Sequence, residues 1–291
     1  MALAAACCWA VGSLISAPAS AHLGAFAFTR WRMAFASLLL WSIALLSGGW
    51  QTLPLSELWL LALSGMIGIL IGDTALFAAM NRLGPRRAGV LFATHALFSA
   101  ILAYFFLGEN LWGWSLFGSG LLMSGVMIAI LFGRRAAEQH HWESNHYQPK
   151  IGILLGLLAA VCQAISTLML KPLMETEIDA IAASAVRMTT ALVCHLLLLW
   201  LGFKAAKTLL PLTAKVFWMV ALNATLSMVI GMTLILQALK SGDANIVAML
   251  SSISPVVVLP LLWLVYQRRP AMGAWLGAGL TVGGTLFILW H

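Results

Sequence analysis

Apolar residues run along this chain in long blocks separated by short polar gaps. A helix needs about 20 apolar residues to cross roughly 30 Å of hydrocarbon. Read on that scale, the pattern predicts spans near 2–20, 23–47, 57–80, 86–107 and 112–132, then near 151–170, 178–201, 215–239, 243–266 and 270–290. The substantial hydrophilic stretch is GRRAAEQHHWESNHYQPK, residues 133–150, which divides the chain into segments 1–132 and 151–291. The expected fold class is an all-α integral membrane protein with ten transmembrane helices, five on each side of a polar linker.

The two segments repeat each other. Ala5, Ala6, Cys8, Ala10, Leu14 and Pro18 recur 154 residues later as Ala159, Ala160, Cys162, Ala164, Leu168 and Pro172. Arg32-Met33 recurs at a spacing of 155 as Arg187-Met188. Gly72-x-Thr74 recurs at 159 as Gly231-x-Thr233, and Gly118, Gly120 and Gly125 recur at the same spacing as Gly277, Gly279 and Gly284. Five spans is an odd number, so the second repeat enters the membrane inverted relative to the first. Inverted repeats around a midplane site are the physical basis of alternating access in secondary transporters.

Composition agrees with the span count. The chain has 291 residues, 62% hydrophobic and 9% charged, with a mean hydropathy of +0.97. Charges that scarce do not cover a surface in water. The net charge of +7 is carried in gaps between apolar blocks, so it reads as a topology signal rather than a nucleic-acid footprint. Arg82, Arg86, Arg87, Arg134, Arg135, Lys150, Lys204, Lys207, Lys215, Arg268 and Arg269 follow odd-numbered spans, against Lys171 and Lys240 on the other side: eleven against two. The positive-inside rule then puts both termini on the non-cytoplasmic side of a multi-pass inner-membrane protein. The first span begins directly after Met1, which leaves room for a few native residues before it, and no cleavable signal peptide is visible. The lipid bilayer is the expected environment, with a monomer and a homodimer both open.

The candidate chemistry lies in the few polar residues inside the blocks. Asp73, in IGDTALFAAM, is an ionisable group at membrane depth, and such groups face a partner or a wet cavity. Proton coupling, a contact to a substrate ammonium and a charge partner for an arginine all remain open for it. Arg30 and Arg32 lie about 200° apart on a helix, so one snorkels while the other faces inward. Arg32, with its repeat partner Arg187, is the expected interior one, to hold a substrate carboxylate or to pair with Asp73. His95 sits mid-span, where it could relay protons or rest as a buried neutral ring, and His195 is a second lone membrane histidine. Trp9 and its repeat counterpart Gln163 hold matching places in spans one and six. Glu109 and Asn110 end span four, where capping the next helix is the first reading and a gate contact the second.

Other signals read as structural. Cys7, Cys8, Cys162 and Cys194 have no CxxC spacing and imply neither disulfides nor zinc. His140, His141 and His146 fall in the polar linker, and no metal or other cofactor is expected. Trp50, Trp59, Trp112, Trp114, Trp142, Trp218, Trp275 and Trp290 fall near span ends, where indole sits at the headgroups. Ser119 lies between glycines but has no well-placed histidine partner, so an intramembrane protease is set aside. No GxxxxGK[ST] phosphate loop is present, so energy comes from a gradient or an outside subunit.

CCWAVGSLISAP, RWRMAFASLLL, IGDTALFAAMNRLGPRRAGVL and AYFFLGENLWGWSLFGSGLLMSGVMI in the first segment, with SSISPVVVLP and GAWLGAGLTVGGTLFI in the second, resemble the EamA-type ten-span exporters of the drug/metabolite transporter superfamily. The resemblance covers essentially the whole chain. Trp9 falls at the family's aromatic position, Arg32 at its embedded arginine and Glu109 at its glutamate. It implies a non-enzymatic exporter of small organic metabolites such as amino acids, with Trp9, Arg32, Asp73, His95, Gln163 and Arg187 as candidate substrate-binding residues and protons as the candidate coupling ion. The chain departs from the pattern in reading His95-Ala96 where the fourth span often has proline, and in Arg268 where Glu109 would recur; Pro255 is kept. Many relatives also have both termini in the cytoplasm, opposite to the charge reading. An uncoupled facilitator, a membrane-embedded enzyme and an assembly partner are the alternatives.

Overall fold

The structure, a computed structural model, describes residues 1–109, 112–132, 149–254, 256–258, 261 and 271–290. Every regular element among them is helical. Helices α1 (Ala2–Leu23) and α2 (Ala25–Ser47) meet at Gly24, whose φ of 84° lies in the region that favours glycine, so the chain reverses there within one residue. Next come α3 (Leu58–Gly65), a π-helical stretch over Met66–Asp73 and α4 (Thr74–Leu83), then α5 (Pro85–Ala93), α6 (His95–Leu107) and α7 (Gly113–Phe132). Beyond the polar segment stand α8 (Pro149–Met174), α9 (Ala180–Trp200), α10 (Ala214–Asn223), a second π stretch over Ala224–Met232, α11 (Thr233–Leu239), α12 (Ala244–Ser251) and α13 (Met272–Trp290).

Among the described residues, six helical segments are long and apolar enough to cross a membrane: Ala2–Leu23, Leu55–Leu83, Arg87–Leu107, Lys150–Met174, Ala180–Trp200 and Ala214–Leu239. Gly113–Ala129 and Met272–Ile288 are shorter apolar helices. The expected segment 86–107 is broken at Thr94, whose hydroxyl and N–H both donate to the Leu91 carbonyl. The linker histidines, Asn110, Pro255, Arg268, Arg269 and Trp142 lie outside the described residues.

The halves exchange partners. The first π stretch and α4 pack on α8, while the second π stretch and α10 pack on α1. Helix α2 lies along α9, and α7 runs against α13. Glycines set this last contact. A Cβ on Gly118 would sit 2.8 Å from the Gly284 carbonyl oxygen, and one on Gly125 would sit 2.6 Å from that of Gly277, so the two backbones touch. Gly120 and Gly279 meet nothing within 4 Å, so these two members of the repeated glycine set lie outside the seam. Ser119 donates to the Ser115 carbonyl of its own helix, an ordinary bond for a helical hydroxyl.

The ends are tied in two groups. At one end, the Asp179 N–H donates to Thr52 Oγ1 at 2.8 Å, and Lys171 Nζ donates to the Leu239 carbonyl at 3.1 Å while pairing with Glu175. At the other, the Leu209 N–H donates to the Leu23 carbonyl, and Arg30 Nη1 donates to the Ala206 carbonyl at 2.7 Å.

Candidate functional site

A π turn widens the helix locally and is frequent at functional sites. The first one ends on Asp73. Arg32 reaches it from α2, with Nη1 3.3 Å from Asp73 Oδ2; the arginine side chain is 3% exposed and the aspartate 13%. The Arg32 guanidinium also rests against the rings of Phe28 and Phe77, at 5.3 and 4.7 Å from their centroids, a cation–π arrangement that restricts its tilt. Arg32 thus faces Asp73, while Arg30, also buried, turns away to the Ala206 carbonyl, as about 200° of helix rotation between them allows.

Arg187 approaches from α9, fully buried. Its Nε donates to Ser64 Oγ at 3.1 Å and its Nη2 to Ser166 Oγ at 2.9 Å. The two serines are oriented as acceptors, because Ser64 Oγ donates to the Leu61 carbonyl and Ser166 Oγ to the Ser64 carbonyl. Gly68 leaves the room: a Cβ there would meet Ser166 Oγ at 2.5 Å and Arg187 Nη2 at 3.5 Å. Asp73, the partner of Arg32, follows Gly68 by about one π turn on the same stretch. Next to it, Thr74 Oγ1 shares a hydrogen bond with His195 Nε2 at 3.3 Å, and the imidazole stands edge-on to Phe26.

The second π stretch meets α1 without a charge. Trp9 Nε1 donates to the Ser227 carbonyl at 2.9 Å, and Asn223 Nδ2 donates to the Gly12 carbonyl at 2.7 Å. Gly12 is pressed against Ser227, as Gly68 is against Ser166. At the sequence spacings of 154 and 159, Gly12 corresponds to Ser166, Gly68 to Ser227 and Ser64 to Asn223. Each crossing holds one glycine and one serine, with the order exchanged between helices.

Of the six expected site residues, Arg32 and Asp73 pair, and Arg187 lies against Gly68 of the same π stretch. Trp9 is committed to the second π stretch. Gln163 is buried on α8, where its carbonyl accepts from Thr167, and His95 is buried against Phe92 with its Nδ1 unpartnered among the described residues. Glu109 caps a helix other than the expected one. Its Oε1 and Oε2 accept the N–H groups of Ala244 and Asn245, at the start of α12 rather than α7. Ser64, Ser166, Thr74 and His195 were missing from the expected site. Repetition alone could not flag Ser64 and Ser166, because their counterparts are Asn223 and Gly12. Among the described residues, no group of three or more His, Cys, Asp or Glu side chains could hold a metal ion.

A bundle of apolar helices that buries charged side chains is built for a membrane, and charge at that depth is a mark of function. The chain belongs to the EamA-like transporter family, whose family model matches residues 1–131 and again 150–290. That places it in the drug/metabolite transporter superfamily. A protein of Archaeoglobus fulgidus described as an uncharacterized transporter is 26% identical over 256 residues, 88% of this chain and 84% of its own length. A crystal structure matches the fold with a TM-score of 0.76 at 18% identity, over 98% of this chain and 94% of its own.

Proposed function

We propose that this protein is a gradient-driven secondary transporter that exports small organic metabolites such as amino acids across the inner membrane. In this reading the chain crosses the bilayer ten times as two inverted five-helix repeats, 1–132 and 151–291, with both termini on the non-cytoplasmic side. The halves rock about the Arg32–Asp73–Arg187 cluster. Those three residues meet the substrate, and Gln163 and His95 extend the lining. Trp9 holds α1 on the second π stretch through its bond to Ser227.

The observation that carries this reading is the contact of Arg32 with Asp73, beside a fully buried Arg187 anchored across the two halves on Ser64 and Ser166. A purely structural pair at membrane depth gains little over apolar packing. Export and the metabolite class rest on family resemblance, and the termini rest on the loop charges. A second reading, an uncoupled exchanger, draws on the same contact: a carboxylate already paired with Arg32 has a counter-ion and needs no proton.

Solute counterflow in proteoliposomes tests the reading. Purified protein should exchange labelled internal for external solute from a panel of amino acids and organic acids, and an Arg32→Gln, Asp73→Asn double variant should not. Equal exchange by the double variant would refute the assignment of the site.

A further inference from the structure

We infer that the transported solute binds as a small organic monoanion, with its carboxylate on the unused N–H groups of Arg32 and Arg187. Keto acids, hydroxy acids and N-acylated amino acids fit this class, and free zwitterionic amino acids do not. The inference rests on the transport reading above, keeps its small organic metabolites and replaces the free amino acids given there as the example.

Arg32 pairs with Asp73, while Arg187, equally buried, forms no ion pair among the described residues, so two guanidiniums have one counter-ion between them. Arg187 makes its remaining contacts to Ser64 and Ser166, which are neutral. An unpaired charge in an apolar interior is costly, and a bound counter-ion removes that cost. A monocarboxylate closes the count at zero. A zwitterion leaves the excess in place, and a dianion overshoots it.

Hydrogen bonding agrees. Arginine is an obligate donor with five N–H groups that match carboxylate geometry. Among the described residues, Arg32 Nε and Arg187 Nη1 are buried with no hydrogen-bond partner. Both residues are more than nine-tenths buried, at 2% and 1% exposure. Serine hydroxyls and aromatic rings hold the two guanidiniums in place, so the free donors are fixed before a ligand arrives. Asp73 is the more open member of its pair with Arg32. A solute arriving beside Asp73 reaches the guanidinium edges there and competes with it for Arg32.

Alternatives for the surplus donors fit less well. The Nε2 of His195 is shared with Thr74, and Glu109 lies at the bundle end on the α12 amides. Among the described residues, Arg187 forms no ion pair.

The test uses purified protein in detergent and reads the shift in unfolding temperature with pyruvate, benzoate, benzamide, alanine and succinate as probes. Pyruvate or benzoate should stabilise the wild type, whereas benzamide and alanine should not. Arg187→Gln should abolish the shift. Asp73→Asn raises the cluster to two positive charges, so carboxylate affinity should rise about tenfold or more and succinate should become the preferred probe. This second variant keeps the test decisive if Arg187→Gln fails to fold. Stabilisation by benzamide or alanine equal to that by the carboxylates would overturn the inference. So would the absence of any carboxylate effect, or an unchanged order of pyruvate and succinate in Asp73→Asn. Counterflow of the same probes separates the two claims. Flux without carboxylate preference sinks the monoanion and keeps the transporter; carboxylate binding without flux does the reverse.

Discussion

The carboxylate of Glu109, at the end of α6, accepts the backbone N–H of Ala244 at 2.8 Å, where α12 begins. Its second oxygen takes the N–H of Asn245 at 3.0 Å. The first turn of a helix leaves its N–H groups without partners, and a carboxylate there also meets the favourable end of the helix dipole. Asp243, the residue in position to cap α12 itself, makes no such bond. A side chain from the first half of the chain therefore holds a helix of the second.

Glu109→Ala should destabilise the protein by about 1–2 kcal/mol, the usual cost of a lost cap, while Asp243→Ala should be nearly silent. Thermal unfolding of the purified variants checks this. A larger loss from Asp243→Ala would mean that α12 is capped locally.

The exchanged glycine and serine at the two helix crossings give a compensating pair. Gly12→Ser pushes a side chain into Ser227 and should cost about 1–3 kcal/mol as an overpacked contact. Adding Ser227→Gly should restore most of the loss, because it reproduces the arrangement of Ser166 over Gly68. A double-mutant cycle reads the coupling directly, and independent, additive losses would contradict the match between crossings.

Along the α7–α13 contact, Gly277→Ala places a methyl group against the backbone of α7 at Ala129 and Gly125. Folded yield by gel filtration should fall sharply. Gly279→Ala, on an exposed stretch of the same helix, should be tolerated and gain a little from helix propensity. Equal tolerance at both positions would rule out the close seam.

The helices and the three central charges were legible in the sequence because each has a strong local signal. Apolar blocks mark the segments, and Arg32, Asp73 and Arg187 are conspicuous where charge is costly. The rest depends on contacts distant in sequence. MIGILIGD carries the same apolar pattern whether it winds as an α or a π helix, so the widened turn that ends on Asp73 left no mark. Ser64 and Ser166 are two serines among many until Arg187 binds both. Trp9 and Gln163 looked equivalent by repetition, yet Trp9 is spent on the Ser227 carbonyl. Glu109 carried the cue for a helix cap, but its partner lies 135 residues away. The recurring glycines look alike in sequence, whereas among them only Gly118, Gly125, Gly277 and Gly284 meet the facing backbone.

The most direct measurement is flux into proteoliposomes, with and without an imposed pH gradient, comparing the wild type with Asp73→Asn. The account predicts that wild-type flux follows the gradient, and that the variant retains exchange but no longer responds to it. Wild-type transport indifferent to the gradient, matched by Asp73→Asn, would contradict it and leave Asp73 as a structural partner of Arg32.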